Sequence, residues 1–493
     1  FEQAFATCAL AFSVSMVACF VDCQRVPFDA LEIIWDRTQL LNLALMYLVF
    51  FVPFFFAACC IGLALTCRSD AISRLYFCDL AGAGTGAVLI IGMLLVAFPQ
   101  SALIALVALA LIASMLVGNS SAARVPLSIG QFSWLVVLAV IVFTGGLTLR
   151  PSAYKGLSQA LQVVDARALT DVSSPLGLLT VVDSPTVPIR LAPGLSFNTR
   201  HVPPEQLAVF TDADGMSAIT QYDGHRESVA FLADVTAALP YALLEQPDVL
   251  ILGAGGGSDV LLALYHGARR IDAVELNPQM SGLVQEDYSD FAGRLYEDPR
   301  VTLHTDEARG FVARSDDRYD LIHIGLLDSF GASGAGVQSL NESYIYTVEA
   351  LRAYIEHTAP GGYVAITRWL KLPPRDSLKL VATAIEALQS TGVTDPGARL
   401  ALLRSWNTST LLIRNGAFTA ADISVLQDFA RTRSFDTAWF PGIGASDTNR
   451  YNILAAPYLY EGTRALLSDN DAEYKALYKF NIEPATDNRH SYF

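Results

Sequence analysis

Apolar residues fall into two regimes along the chain. Up to residue 150 they form long unbroken runs, and beyond it they recur with the periods of strands and helices. Phe5–Val21, Leu40–Thr66, Leu75–Phe98, Ser101–Val117 and Phe132–Leu147 each approach the ~20 residues a helix needs to cross about 30 Å of hydrocarbon, which predicts five membrane spans. Pro53 falls inside the second run and predicts a kink. In the third, Asp79 precedes Leu80-Ala-Gly-Ala-Gly-Thr-Gly86, so a carboxyl group meets a small-residue face on which Gly82 and Gly86 permit close helix approach. An ionisable group at membrane depth is a functional candidate. With no second acid or base in the spans to form a relay, an aspartate that fixes the bundle is the preferred reading.

From Pro151 the sequence is mixed and turn-rich. Pro175–Asn198 reads as short strands broken by Pro185, Pro188, Pro193 and Gly194, and Leu207–Phe210 with Ala218–Gln221 as a hairpin. Helical spacing through Val229, Leu232, Val235, Ala238 and Leu239 predicts a helix. Then Val249-Leu-Ile-Leu252 reads as a buried strand that breaks at Gly253, Gly255, Gly256 and Gly257, resumes at helical spacing through Val260, Leu261, Leu262 and Leu264, and is followed by a second strand ending on Glu275. The alternation continues with a helix over Pro278–Tyr288, a strand Val301–His304, a helix Ala308–Ser315, a strand Leu321–Ile324, a helix Tyr344–His357 and a strand Tyr363–Thr367. Repeated βα units predict a doubly wound, mostly parallel sheet with helices on both faces. Leu400–Ser405 and Ser409–Ile413 read as antiparallel strands, and Ala420–Arg431 as a helix.

The expected organisation is a transmembrane helical domain at 1–150, a linker and small β subdomain at 151–228, a Rossmann-like nucleotide-binding domain at 229–395 and its β/α extension at 396–493. Composition supports the membrane part: 52% of residues are hydrophobic and 16% charged, with a mean hydropathy of +0.38, too apolar for a soluble chain. A net charge of −15 without a basic stripe argues against a nucleic-acid partner. All seven cysteines, Cys8 to Cys78, lie in or beside the apolar runs without metal-ligand spacing, so they read as packing residues and no metal is expected. The chain starts at Phe1 inside an apolar pattern, so the membrane part is expected to be truncated.

Chemistry concentrates at the glycine turn. Strand, turn, helix and an acid about 20 residues on make a βαβ nucleotide-binding unit, in which Gly253, Gly255 and Gly257 let the backbone turn sharply near a ligand and Glu275 is placed to accept hydrogen bonds from ribose hydroxyls. The alternative is a tight turn in a doubly wound fold without nucleotide. Ligands in such sheets collect at the carboxyl ends of the strands, where Asp306, Glu307 and Gly325–Asp328 also fall.

The order glycine turn, Val274-Glu-Leu-Asn-Pro278, Asp298-Pro-Arg300-Val, Asp306, Tyr319-Asp-Leu-Ile and Pro360-Gly-Gly resembles the spermidine/spermine synthase family, aminopropyltransferases with a methyltransferase-like fold, over about residues 175–370. Arg74-Leu-Tyr-Phe-Cys-Asp-Leu-Ala-Gly-Ala83 looks like the membrane-fused branch of that family. The resemblance implies binding of S-adenosylmethionine or its decarboxylated form as co-substrate, with Glu275 on the ribose and Asp306 at the adenine amino group, and a small β subdomain before the main fold. The glycine turn of the soluble synthases carries an aspartate where this chain has Gly256. Their loop after the fourth strand carries a proton-accepting aspartate where this chain has Gly325, and only the second aspartate of that loop remains, as Asp328. Without two carboxylates that would bind a diamine and deprotonate it, ordinary spermidine synthesis is not expected.

Asp328 is therefore the candidate for proton transfer, against a loop aspartate capping the next turn. Glu342 and Tyr344, after the glycine-rich stretch Gly331–Gly336, are candidate substrate contacts, against a helix cap at Asn341 or Ser343 with Tyr344 packing. His304 and His323 read as satisfied structural histidines. The expectation is a transferase in a bacterial-type inner membrane, with its soluble domain on the cytoplasmic side where the donor is supplied, acting on a small-molecule or lipid-phase acceptor. A catalytically silent accessory subunit, joined to other membrane subunits, is the other reading.

Overall fold

The computed structural model describes residues 1–29, 32–68, 71–118, 129–327 and 344–489. The apolar part is helical: α1 (Glu2–Cys23), α2 (Thr38–Cys67), α3 (Ile72–Leu94), α4 (Pro99–Gly118) and α5 (Ile129–Thr144). The first four are long and apolar enough to cross a membrane, whereas α5, expected as a fifth span, has 16 residues. α2 runs through Pro53 as one 30-residue helix. Hydrogen bonds tie α1, α4 and α5 together: Ser13 Oγ donates to the Val107 carbonyl (2.9 Å) and accepts from Trp134 Nε1 (2.8 Å), while Ser114 Oγ donates to the Ala6 carbonyl (2.7 Å) and accepts from Gln131 Nε2 (2.9 Å). In a bilayer, where apolar burial no longer drives helices together, such bonds would add to packing in holding the bundle. Asp79 does not join them. It is exposed on α3, which buries none of its residues, and has no hydrogen-bond or ion-pair partner among the described residues, against the bundle-fixing role expected.

After the short α6 (Gly156–Ala160), strands β1 (Arg167–Ser174), β2 (Gly177–Asp183), β3 (Gln206–Thr211) and β4 (Gly215–Thr220) form an antiparallel meander in that order. Pro175 lies in the β1–β2 turn rather than in a strand, and 184–198 is irregular apart from a bridge between Leu195 and Val235. That bridge also explains the missing helix over Val229–Leu239. Val235 is drawn into extended backbone (φ −102°, ψ 154°), leaving 3-10 turns at Arg226–Asp234 and Thr236–Ala238 before α7 (Leu239–Ala242), although the spaced apolar residues still reach the core.

The main sheet alternates as expected: β5 (Asp248–Leu252), α8 (Ser258–Tyr265), β6 (Arg270–Glu275), α9 (Pro278–Gly282), β7 (Val301–Thr305), α10 (Ala308–Arg314), β8 (Tyr319–Ile324), α11 (Val348–Glu356) and β9 (Thr358–Trp369). These five strands pair in parallel. After α12 (Asp376–Ser390), β10 (Leu400–Arg404), β11 (Thr408–Arg414) and, beyond α13 (Ala420–Arg433), β12 (Asp436–Trp439) extend the sheet antiparallel from β9, giving the order β12-β10-β11-β9-β8-β5-β6-β7. The period-2 alternation of β5 divides the core. Val249 and Ile251 pack with Val260 and Leu261 of α8 on one face, while Leu250 and Leu252 pack with Leu351 of α11 and Val381 of α12 on the other. α14 (Tyr458–Leu466) and α15 (Asp471–Leu477) close the second face.

Among the ion pairs of the C-terminal part, two are tied to the core and to the tail. Arg404 and Asp436 are both buried, 3.1 Å apart, and the Asp436 carboxylate also accepts from the backbone N–H groups of Arg450, Tyr451 and Asn452. Removing one partner leaves the other charge uncompensated in the core. Asp436→Ala is therefore expected to cost about 3–5 kcal/mol in thermal or denaturant unfolding of the solubilised chain. The same change at exposed Asp290, paired with Arg294, should leave the unfolding midpoint almost unchanged, since solvent screens that pair.

At the tail, Arg309 donates to both oxygens of Asp487 (2.7 and 2.6 Å), and chiefly this bond holds the Asp487 carboxyl below its ordinary value of 3.8. A depressed folded value means the contact stabilises fully above that ordinary value and is lost as pH falls through the folded one. Arg309→Ala should accelerate hydrogen exchange at the Val348 amide, which donates to Ala485, and the gap from wild type should narrow as pH falls below 3.8 and vanish once the folded carboxyl is protonated. A gap that persists there would refute the assignment.

Candidate functional site

The carboxyl ends of the parallel strands open into a cleft of about 870 Å³, roofed by α6 and the meander through Gln159, Phe210, Asp214 and Ser217. On its floor, Gly253, Gly255 and Gly257 adopt left-handed backbone (φ +86°, +50° and +87°), which only glycine takes without strain. Gly253 and Gly255 line the cleft. Gly257 lies beneath the turn, where a Cβ would fall 2.6 Å from Leu295 Cδ2, so its lack of a side chain serves packing there. Leu327 lies over Gly253, its Cδ2 occupying the space of a side chain there.

Gly256 shows why no carboxylate stands in the turn. A Cβ at this position would fall 2.3 Å from the Ala218 carbonyl oxygen of β4, its N–H donates to Ser217 Oγ (2.9 Å), and Ser258 Oγ donates to the Ala218 carbonyl (3.2 Å). Strand β4 fills the volume an aspartate would need.

Glu275 ends β6 and faces the cleft. Its Oε2 accepts from the Gly255 N–H (2.8 Å) and its Oε1 from the Asn277 N–H (2.9 Å), so the carboxylate is fixed against the turn and does not point into bulk solvent. Asp306, at the end of β7, accepts from the Glu307 N–H and pairs with Arg314; the Arg314 guanidinium, then that N–H, hold its carboxyl below the ordinary range. Glu307 caps α10, accepting from the N–H groups of Arg309 (3.0 Å) and Gly310 (2.6 Å). It borders the cleft, with its carboxylate committed to the helix terminus.

The opposite end of the floor holds two residues the sequence reading passed over, Asp259 and Thr367. Asp259, in the first turn of α8, and Thr367 and Trp369 at the end of β9 line it. His323 on β8 is wholly buried with both ring nitrogens lacking a hydrogen bond, not the satisfied structural histidine expected; its Nε2 lies 3.4 Å from Asp259 Oδ1. A lone acid ahead of the apolar run Val260-Leu-Leu was the available signal. His304 does fit its structural reading, with Nε2 2.9 Å from Asp272 Oδ1. Ile345 lines the cleft whereas Tyr344, beside it in a 3-10 turn, is not among the lining residues. Asp328 and Glu342 lie outside the described residues.

No family model matches the chain. By sequence it is similar to polyamine aminopropyltransferases: 35% identical over 100 residues to that of Streptococcus pneumoniae (20% of this chain, 35% of that one), and 30% over 129 residues to that of Clostridium perfringens (26% and 44%). It is 26% identical over 171 residues to polyamine aminopropyltransferase 2 of Pseudomonas aeruginosa (33% and 46%). The chain thus spans less than half the length of these curated relatives. Among solved structures, the spermidine synthase of Thermotoga maritima aligns over 63% of this chain and 87% of its own at 14% identity and a TM-score of 0.35. By sequence, then, part of the chain is similar to the polyamine aminopropyltransferases of the spermidine/spermine synthase family.

Proposed function

We propose that the chain is a membrane-anchored transferase of the membrane-fused spermidine synthase-like type. It binds S-adenosylmethionine or decarboxylated S-adenosylmethionine and transfers a methyl or aminopropyl group to an amine or lipid-phase acceptor. The observation that carries this reading is where the donor groups of the glycine turn go. Gly255 N–H is bonded to Glu275, Gly256 N–H to Ser217, and the N–H groups of Gly253 and Ala254 to the Val274 carbonyl. A turn whose N–H groups are spent in this way has none to offer the pyrophosphate of a dinucleotide. It does present a fixed carboxylate, and a carboxylate beside an apolar cleft is the complement of a ribose diol.

Glu275 would hold the ribose and Asp306 the adenine amino group, with Gly253 and Gly255 giving the nucleoside room. The sulfonium, when bound, supplies the electrophilic carbon. The residues of the cleft bind, orient and exclude water; Leu327 and Phe210 are placed for the last of these. The soluble domain is assigned to the cytoplasmic side of a bacterial-type inner membrane, where such donors are made. Labelling of a cysteine introduced at exposed Glu297 by an impermeant reagent should then require permeabilised cells, and labelling of intact cells would reverse the orientation.

The accessory-subunit reading keeps one observation in its favour: α3 buries none of its residues against the described chain, as a helix that meets other membrane subunits would. Calorimetric titration of the solubilised chain separates the two. Methylthioadenosine and at least one of the two sulfonium donors should bind, and Glu275→Ala should weaken methylthioadenosine by at least about tenfold, as loss of hydrogen bonds to a charged group does. No binding by any of the three leaves the accessory reading standing.

A further inference from the structure

Among the described carboxylates that line the cleft, Asp259 is the one that nucleoside binding leaves without a task; Asp214, in the roof, pairs with Lys155. At the β6–β7 end, Glu275 is bonded to Gly255 and Asn277, Asp306 to Arg314, and Glu307 to the first turn of α10. At the other end, beyond β5, no described residue donates a hydrogen bond to Asp259. Its side chain is one-quarter exposed to the cleft, and behind it stands the fully buried ring of His323, whose nitrogens bond to nothing else. Tyr241, against the same ring at 5.9 Å between centroids, has a buried hydroxyl that burial and then the charge of Asp259 push well above its ordinary value.

The location of this carboxylate is specific. A Cβ built on Gly325, the residue that follows β8, would fall 2.0 Å from Asp259 Oδ2 and 3.0 Å from its Cγ. The carboxylate of α8 therefore occupies the volume into which a side chain at the end of β8 would project. Gly325 and Asp259 are one arrangement: the glycine makes room and the aspartate fills it. A carboxylate in that position, bordered by Leu327 and Trp369 with no lysine or arginine paired to it, is the complement of a cationic group brought by a ligand.

We infer that Asp259 is the acceptor-side carboxylate: it binds the ammonium group of an amine acceptor and takes its proton. The inference rests on the donor-binding reading above and adds the second half of the site. An ammonium must lose one proton before its nitrogen can attack, and Asp259 accepts that proton. The freed lone pair forms the N–C bond, the C–S bond of the sulfonium breaks, and its electron pair returns to sulfur as a neutral thioether. The product leaves as a secondary ammonium. His323 is a positioning residue, packed against one carboxylate oxygen so that the group is held at the cleft edge.

The test is a titration of 1,4-diaminobutane into the full solubilised chain saturated with methylthioadenosine, for wild type, Asp259→Asn and the double variant Asp259→Ala/Gly325→Asp. Asp259→Asn should weaken the diamine by at least about tenfold. It should leave methylthioadenosine affinity unchanged, which also reports that the variant is folded. The double variant, which returns a carboxylate to the same volume from β8, should regain most of the loss. Diamine that binds Asp259→Asn as well as it binds wild type, including no measurable binding to either, overturns the inference. So does an equal loss of methylthioadenosine affinity in Asp259→Asn, since that places the residue on the nucleoside. Failure of wild type to bind methylthioadenosine at all is a different result: it removes the donor reading, and this inference with it.

Discussion

The close approach of β4 to the glycine turn sets the terms for everything around the cleft. The Ala218 carbonyl and the Ser217 hydroxyl meet Gly256 and Ser258 directly, so the meander is docked on the turn through backbone-level contacts that admit no side chain at 256. The turn cannot carry a carboxylate of its own, and the Gly256 N–H is spent on Ser217, while those of Gly253, Ala254 and Gly255 are spent on Val274 and Glu275 of β6. What the turn does supply is an anchor for Glu275, whose orientation is fixed through Gly255. The same contact brings α6 and β3 over the floor and turns an open strand edge into an enclosed cleft.

The strand order distributes chemistry along that edge. Glu275 and Asp306 end β6 and β7 on one side of β5, while Gly325, Thr367 and Trp369 end β8 and β9 on the other, with Asp259 leaning over from α8. A ligand that needs a diol acceptor at one end and a charged nucleophile at the other is served by opposite ends of one groove. The antiparallel strands β10 to β12 lie beyond β9, and their buried pair Arg404–Asp436 is structural; its charges are matched by each other and by backbone N–H groups. Among the described carboxylates of the cleft, Glu275, Asp306 and Glu307 accept from donors within the chain, whereas Asp259 has a buried imidazole on one side and open cleft on the other.

Much of the α/β domain was legible because strands buried on both faces read as apolar runs and their breaks fall at glycine or proline. β5 to β9 and the hairpin of β10 and β11 lie where the pattern put them, although β9 runs from Thr358 through Pro360-Gly-Gly and not from Tyr363. What failed was decided by contacts distant in sequence. The apolar spacing of Val229 to Leu239 is helical, but the bridge from Val235 to Leu195 breaks it. β1 is polar and half-exposed, Leu169-Thr-Asp-Val172, so hydropathy gave no cue, and β12 has four residues. In the site, Glu275 was legible because the distance from the turn is a property of the βαβ unit. Asp259 was not, since nothing local shows that the first turn of α8 faces the end of β8, more than sixty residues later.

The two parts of the chain are joined in a way that bears on the acceptor. The backbone N–H of Arg150 donates to Gln24 at the end of α1, which draws the segment leaving α5 to the C-terminal end of α1 and places the exit of both helices together. Residues 145–155 then connect α5 to α6, and α6 is already part of the cleft roof through Gly156, Gln159 and Ala160. At ~3.5 Å per extended residue such a link spans at most about 40 Å, and its turns and its bond to Gln24 shorten it. The roof of the cleft is therefore covalently held within one protein diameter of the apolar helices. On the transferase reading proposed above, a link of this length would keep the cleft within reach of an amine held beside those helices.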